Sequence, residues 1–176
     1  MKSLIIYGSH YGTTKRYAEK LAQMANIPIA NYKDIKELIG YDLVIHFGGL
    51  YAGGVTGLKR TVKLLPQNAK FIIVTVGLAD VDDENNTNNI KKALSKQVPE
   101  EILKSTLIFH LRGGIDYKEL NLKHRMMMAF LYSRLKKLPE EKKTPEIKAL
   151  IETYNSKVDF IDYASLNQII KAIKQI

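Results

Sequence analysis

The chain contains no cysteine. That absence excludes a disulfide framework, a Cys-ligated iron–sulfur cluster and a thiol nucleophile, so any redox chemistry needs a bound cofactor. Also missing is a run of roughly 20 uncharged apolar residues, the length that spans a bilayer. The start, Met1-Lys2-Ser3 running straight into Leu4-Ile5-Ile6-Tyr7, lacks the apolar region and cleavage site of a signal peptide, so a cytoplasmic protein is expected. His10, His46, His110 and His124 fall at no metal-ligand spacing, and no metal site is expected. Internal repeats and low-complexity linkers are absent as well, which points to one domain over residues 1–176. Acidic residues are in short supply: 18 stand against 27 Lys and Arg, a net charge of +9. Such a balance fits a polyanionic partner, a membrane surface or a solvated exterior.

With 45% hydrophobic residues over 176 positions, there is enough apolar side chain for one well-buried core. Short apolar runs alternate with amphipathic stretches, the pattern of βαβ units around a buried parallel sheet. The runs are Leu4–Tyr7, Ile27–Tyr32, Leu43–Gly48, Phe71–Gly77 and Leu107–Leu111. Helices are expected over Thr13–Ala25, Gly57–Leu65, Asn89–Gln97 and Ser165–Ile176, with a helical turn or two at Asp34–Gly40 and a loop from Asp80 to Asn89. The predicted fold class is α/β, a doubly wound five-stranded parallel sheet with helices on both faces.

Strand one leads directly into Gly8-Ser9-His10-Tyr11-Gly12-Thr13-Thr14 and then a helix, the place where a doubly wound sheet opens its ligand crevice. Unpaired N–H groups and the positive dipole end at the helix start, joined by Ser and Thr hydroxyls, make an anion site. The loop lacks the Gly-Lys-Ser/Thr ending of a P-loop and a full G-x-G-x-x-G, which argues against nucleoside triphosphates and dinucleotides. A phosphomonoester held mainly by neutral donors fits.

The stretch from Ile5 to Leu21, with its aliphatics and aromatic, hydroxyl residue, glycine, threonine and helical Ala18, resembles the phosphate-loop signature of the flavodoxin family. The resemblance implies FMN as cofactor, with Ser9, His10, Tyr11, Gly12, Thr13 and Thr14 around its phosphate. Ser9 and Thr14 become hydroxyl donors, and Gly12 allows the tight turn. Tyr11 departs from the family, which commonly has a third hydroxyl residue there. Two further loops in the same crevice would hold the ring. Gly49, Leu50, Tyr51, Ala52, Gly53 and Gly54 follow strand three, with Tyr51 placed to stack and a carbonyl among residues 52–54 to accept from reduced flavin N5–H. Gly77, Leu78, Ala79 and Asp80 follow strand four and would offer backbone donors to the pyrimidine edge. No protein acid or base is expected, the chemistry being carried by the flavin.

Between Arg112 and Lys143 stand nine basic residues against four acidic ones, over half of the net charge. Asn121–Leu138, free of proline and glycine, reads as a basic helix of about five turns. Leu120, Met127, Leu131, Leu135 and Leu138 share one face, and Leu122, Met126 and Phe130 widen it. A basic insertion after strand five, over about 112–145, resembles that of the flavodoxin-like, quinone-dependent protoporphyrinogen oxidases. That resemblance implies an oxidoreductase passing electrons through flavin N5 to a quinone or a redox partner protein. It also implies peripheral contact of helix 119–138 with an anionic membrane on the inner face of the cell membrane; no nucleic acid is expected. Two alternatives stand beside it: a soluble electron-transfer flavodoxin, and a flavin-free binding or regulatory module.

Overall fold

The computed structural model describes residues 1–51 and 53–176. Five strands form a parallel path: β1 (Ser3–Gly8), β2 (Ile29–Asn31), β3 (Leu43–Tyr51), β5 (Lys70–Gly77) and β6 (Leu107–Arg112). Their spatial order is β2-β1-β3-β5-β6, and the short β4 (Gly54–Val55) folds back antiparallel on the end of β3. The predicted α/β class and parallel sheet therefore hold, with β4 as an added hairpin arm.

Alternation along each strand sends neighbouring side chains to opposite faces. Ile5, Ile45, Phe47, Ile72 and Val74 pack against α1 (Thr13–Ala25) and α7 (Leu166–Gln175). Leu4, Ile6, Val44, Phe71 and Ile73 meet the other layer, built from α2 (Leu58–Leu64), α3 (Glu84–Ser95) and α4 (Glu100–Lys104). Because all five strands run the same way, their carboxyl ends and the loops that follow lie on one side of the molecule.

Two local expectations are corrected. Residues 34–40 form no helix: Ile35 and Leu38 sink into the core, and the Ile35 carbonyl accepts from the Arg60 guanidinium at 2.6 Å instead of from a helical N–H. The stretch expected as a loop to Asn89 is helical from Glu84. Asp83 caps it, its carboxylate accepting from the N–H groups of Asn85 and Asn86, and burial of Ile90 and Leu94 outweighs the poor propensity of four asparagines.

Between β6 and α7 the chain makes β7 (Gly114–Asp116), α5 (Leu122–Lys136), α6 (Pro145–Glu152) and β8 (Lys157–Asp159). β7 and β8 pair antiparallel, closing this segment at its base. Of the three consecutive methionines on α5 only Met128 is buried, in a cluster with Leu78, Ile115, Tyr117 and Leu120.

His46 is fully buried on β3, where its Nε2–H donates to the Thr56 carbonyl and its Nδ1 accepts from the Thr61 hydroxyl. A carbonyl can only accept, which fixes the neutral tautomer. Burial pushes the imidazole from 6.5 down to about 4, against the Thr56 bond that favours its charged form. The unfolded chain then binds a proton that the folded one refuses. Stability should be complete above pH 6.5 and fall as pH drops toward 4, by about 3 kcal/mol in all. Urea unfolding at pH 7.5 and 4.5 measures the loss. His46→Gln, which keeps a donor and an acceptor without the titrating proton, should flatten that dependence; an equally steep loss would refute the assignment.

Candidate functional site

The turn from β1 to α1 is made by Gly12, whose φ of 86° is open to glycine at little cost. Its N–H donates to Ser9 Oγ at 3.0 Å, leaving the Ser9 hydroxyl hydrogen free to donate outward. No side chain caps α1, and its first turn carries no acidic residue. Among the described residues the N–H groups of Thr13, Thr14 and Lys15 have no hydrogen-bond partner. Three donors and the positive end of the helix dipole therefore face one point at the strand ends.

The hydroxyls of this loop divide into two roles. Thr13 donates to the buried Gly114 carbonyl at 2.6 Å, and Tyr11 donates to Met128 Sδ at 2.8 Å, so both tie the loop to the segment after β6. Burial raises the Tyr11 phenol well above its usual range. Among the described residues the Ser9 and Thr14 hydroxyls donate to no partner in the chain. Thr14 Oγ1 lies against Gly49, where an added Cβ would stand 3.0 Å from it, so the glycine keeps the hydroxyl accessible.

From this loop a cavity of 560 Å³ extends along the strand ends. Ser9, His10, Tyr11, Thr13 and Thr14 line one end, with Gly49, Leu50, Tyr51, Gly53 and Gly54 along one wall and Gly77 and Leu78 along another. The Tyr51 ring faces that of His10, centroids 4.6 Å apart and tilted 36°. Burial, then the neighbouring His124 and Lys33, lower the His10 imidazole, which favours its neutral form. Gly12 lines the adjoining cleft instead. Ala52 lies outside the described residues. Asp80 is exposed and outside the cavity: its carboxylate accepts from the Asp82 N–H and its carbonyl from the Asn86 amide.

Ala79, expected as a backbone donor with Leu78, does not itself line the cavity, and the two N–H groups are already in use. Both oxygens of Glu146 accept from Leu78 N–H, at 3.0 and 3.1 Å, and Oε2 also accepts from Ala79 N–H at 2.9 Å. Glu146 projects from the first turn of α6, where Thr144 caps Ile147 N–H and Pro145 opens the helix. Burial raises its pKa, opposed by the two amide bonds and by Arg112. The sequence reading missed this carboxylate. Thr144-Pro145, a cap followed by proline at the first helical position, is the signal that would have placed it on a helix start. Also unread were the apolar roof over the cavity, Met128, Leu131 and Leu135 from α5 with Ile147 and Leu150 from α6, and the floor from α3.

The arrangement fits a phosphomonoester with a planar ring: neutral donors converge at one end, and a glycine-bordered slot with apolar and aromatic walls follows. A family model described as Flavodoxin domain matches residues 4–142 of the chain. No curated protein matches it. Among solved structures the chain is similar to a flavoprotein in complex with FMN from Lactobacillus acidophilus NCFM, at 13% identity and a TM-score of 0.44, covering 63% of this chain and 91% of that one. It is also similar to a flavodoxin from Pseudomonas aeruginosa in which one cysteine is replaced by alanine (15% identity, TM-score 0.44, 85% of this chain and 99% of that one). Oxidised flavodoxin 1 from Bacillus cereus is a third, at 13% identity and a TM-score of 0.41, covering 79% of this chain and all of that one. These likenesses are weak, and the fold stands on the strand order itself.

Thr13→Val removes the hydroxyl on the Gly114 carbonyl and should destabilise the chain by about 1–3 kcal/mol, since a buried acceptor is left short of a donor. Thr14→Val, whose hydroxyl makes no such bond among the described residues, should leave stability nearly unchanged. Urea midpoints of the two variants compare them; equal losses would mean that Thr14 also supports the fold.

Proposed function

Since the chain belongs to the flavodoxin domain family, we propose that it is an FMN-binding electron-transfer flavoprotein. The observation that carries this reading is the uncapped first turn of α1, with the Ser9 and Thr14 hydroxyls beside three unused N–H groups. These would hold the phosphate, and the slot between Leu50, Tyr51, Gly53 and Gly54 on one side and Gly77 and Leu78 on the other would hold the ring. When bound, FMN supplies one- and two-electron chemistry that no side chain of this cysteine-free protein can. The protein's own share is to bind, orient and shield. The first-turn amides bind the anion without a counter-charge, Tyr51 and Leu50 limit the slot, and the roof of α5 and α6 keeps water from its deep end.

The finer reading is an oxidoreductase of the protoporphyrinogen oxidase type, taking electrons from a reduced organic substrate and delivering them to a quinone at a membrane surface. Support comes from α5. Leu122, Met126 and Phe130 recur every four residues and are 74%, 66% and 64% exposed, so they form an apolar stripe on the outside of the molecule. Lys123, Arg125, Arg134, Lys136 and Lys137 surround it. An apolar stripe within a basic field matches an anionic lipid surface, where side chains of both kinds find partners. Among the described residues no helix is long and apolar enough to cross a membrane, so the contact would be peripheral.

Purified protein mixed with FMN should turn yellow and quench flavin fluorescence, and Ser9→Ala and Thr14→Val should each weaken binding about tenfold. A chain that emerges colourless once excess FMN has been removed by gel filtration would end the reading. In flotation assays the protein should rise with phosphatidylglycerol vesicles at low salt and partly release at high salt. Phe130→Asp should lower that binding about tenfold with FMN affinity unchanged; flotation equal to wild type would remove the membrane assignment and leave the soluble carrier.

A further inference from the structure

Glu146 is not part of the phosphate site, yet its carboxylate reaches into the ring end of the same cavity. It holds the N–H groups of two successive residues, Leu78 and Ala79, which are the backbone donors at the carboxyl end of β5. A planar ligand whose edge carries carbonyl acceptors needs donors at that position, and those donors are committed to a side chain. Gly77 makes the contact possible. A Cβ there would stand 2.9 Å from Glu146 Oε2 and 2.7 Å from Leu50 Cδ1, so any larger residue would crowd both the carboxylate and the slot wall.

The bond is not an ion pair. Among the described residues no Lys or Arg lies within 4 Å of Glu146 to form a salt bridge, and Arg112 acts only at longer range. Its guanidinium is engaged elsewhere: Nε donates to the Leu78 carbonyl at 3.0 Å and the plane covers the Phe160 ring at 3.8 Å. A carboxylate in a partly apolar cavity, held by two amides and no cation, is a replaceable occupant. It sits on the first turn of α6, outside the sheet, so its bonds to Leu78 and Ala79 are no part of the strand ladder.

We propose that Glu146 is an internal competitor for the ring-edge donors: its carboxylate fills the acceptor position on Leu78 and Ala79, and a ring-bearing ligand takes that position by displacing it. The proposal rests on the FMN reading and adds a residue that sets how tightly the ring end binds. Ligands anchored at both ends, by phosphate and by ring, can offset the displacement, whereas a ring without phosphate must displace Glu146 from its own binding energy alone. Both flavins meet the same penalty, so it lowers the two affinities by one factor, and the phosphate anchor decides which of them still binds at low concentration.

The test measures binding of FMN and of riboflavin by fluorescence quenching in wild type, Glu146→Ala and Glu146→Gln, with folding of each checked by circular dichroism. Glu146→Ala should bind riboflavin about tenfold or more tightly than wild type, and FMN tighter by a similar factor. Glu146→Gln, a neutral and weaker acceptor of the same shape, should fall between the two. Amide signals of Leu78 and Ala79 should shift in Glu146→Ala without ligand, and shift in wild type only when ligand is added. Equal or weaker riboflavin binding by a folded Glu146→Ala would overturn the proposal and make Glu146 a brace for α6 or a direct ligand contact. Should the alanine variant fail to fold, wild-type or weaker affinity in Glu146→Gln overturns it in the same way. If wild type binds FMN and the variants bind no better, the competitor idea falls and the cofactor reading stands; if neither wild type nor any variant binds FMN, both fall.

Discussion

The crevice is organised around a deficit: three N–H groups at the start of α1 have no partner among the described residues, because Gly12 turns the backbone without offering a side-chain cap. A cap there would add about 1 kcal/mol to the fold, and its omission leaves that energy for a ligand. The deficit is tolerated because the rest of the turn is well fixed. Ser9 holds Gly12, Thr13 is bonded to Gly114, and Tyr17, one turn further on, donates to the Arg112 carbonyl and accepts from Asp162 N–H. These bonds within the chain fix where the donors point, which is what a preorganised anion site requires.

Much of that was legible in the residues. The strand runs Leu4–Tyr7, Leu43–Gly48 and Phe71–Gly77 are short, apolar and bounded, and a parallel sheet buried on both faces produces that pattern. The loop from Ser9 to Thr14 was legible too, because its chemistry is local: a turn, hydroxyls and a helix start lie within six positions. What stayed hidden depends on partners far along the chain. Thr13 meets Gly114, Tyr11 meets Met128, and Glu146 meets Leu78, separations of 101, 117 and 68 residues. No periodicity encodes such pairs. Residues 34–40 show the same limit from another side, since their spacing is helical but burial of Ile35 and Leu38 and the Arg60 bond to the Ile35 carbonyl decide the backbone.

α5 resolves a question that composition alone leaves open. Its apolar residues are too many for one face, and the helix divides them. Met128, Leu131 and Leu135 turn inward to roof the cavity, while Leu122, Met126 and Phe130 turn outward among basic side chains. Neither face alone accounts for the sequence. A helix that only packed inward would carry polar residues where Met126 and Phe130 stand, and one with all its apolar side chains outside would not bury Met128 at the hydroxyl of Tyr11.

That double use joins the outside of the molecule to its cofactor end. The same helix that carries the exposed stripe supplies the roof, and α6 packs against it while holding Glu146 on β5. Tyr11 closes the connection, since its ring lies in the phosphate loop and its hydroxyl on Met128. The outer face of α5 is thus connected by contacts to both ends of the cavity, at Tyr11 through Met128 and at Glu146 through α6.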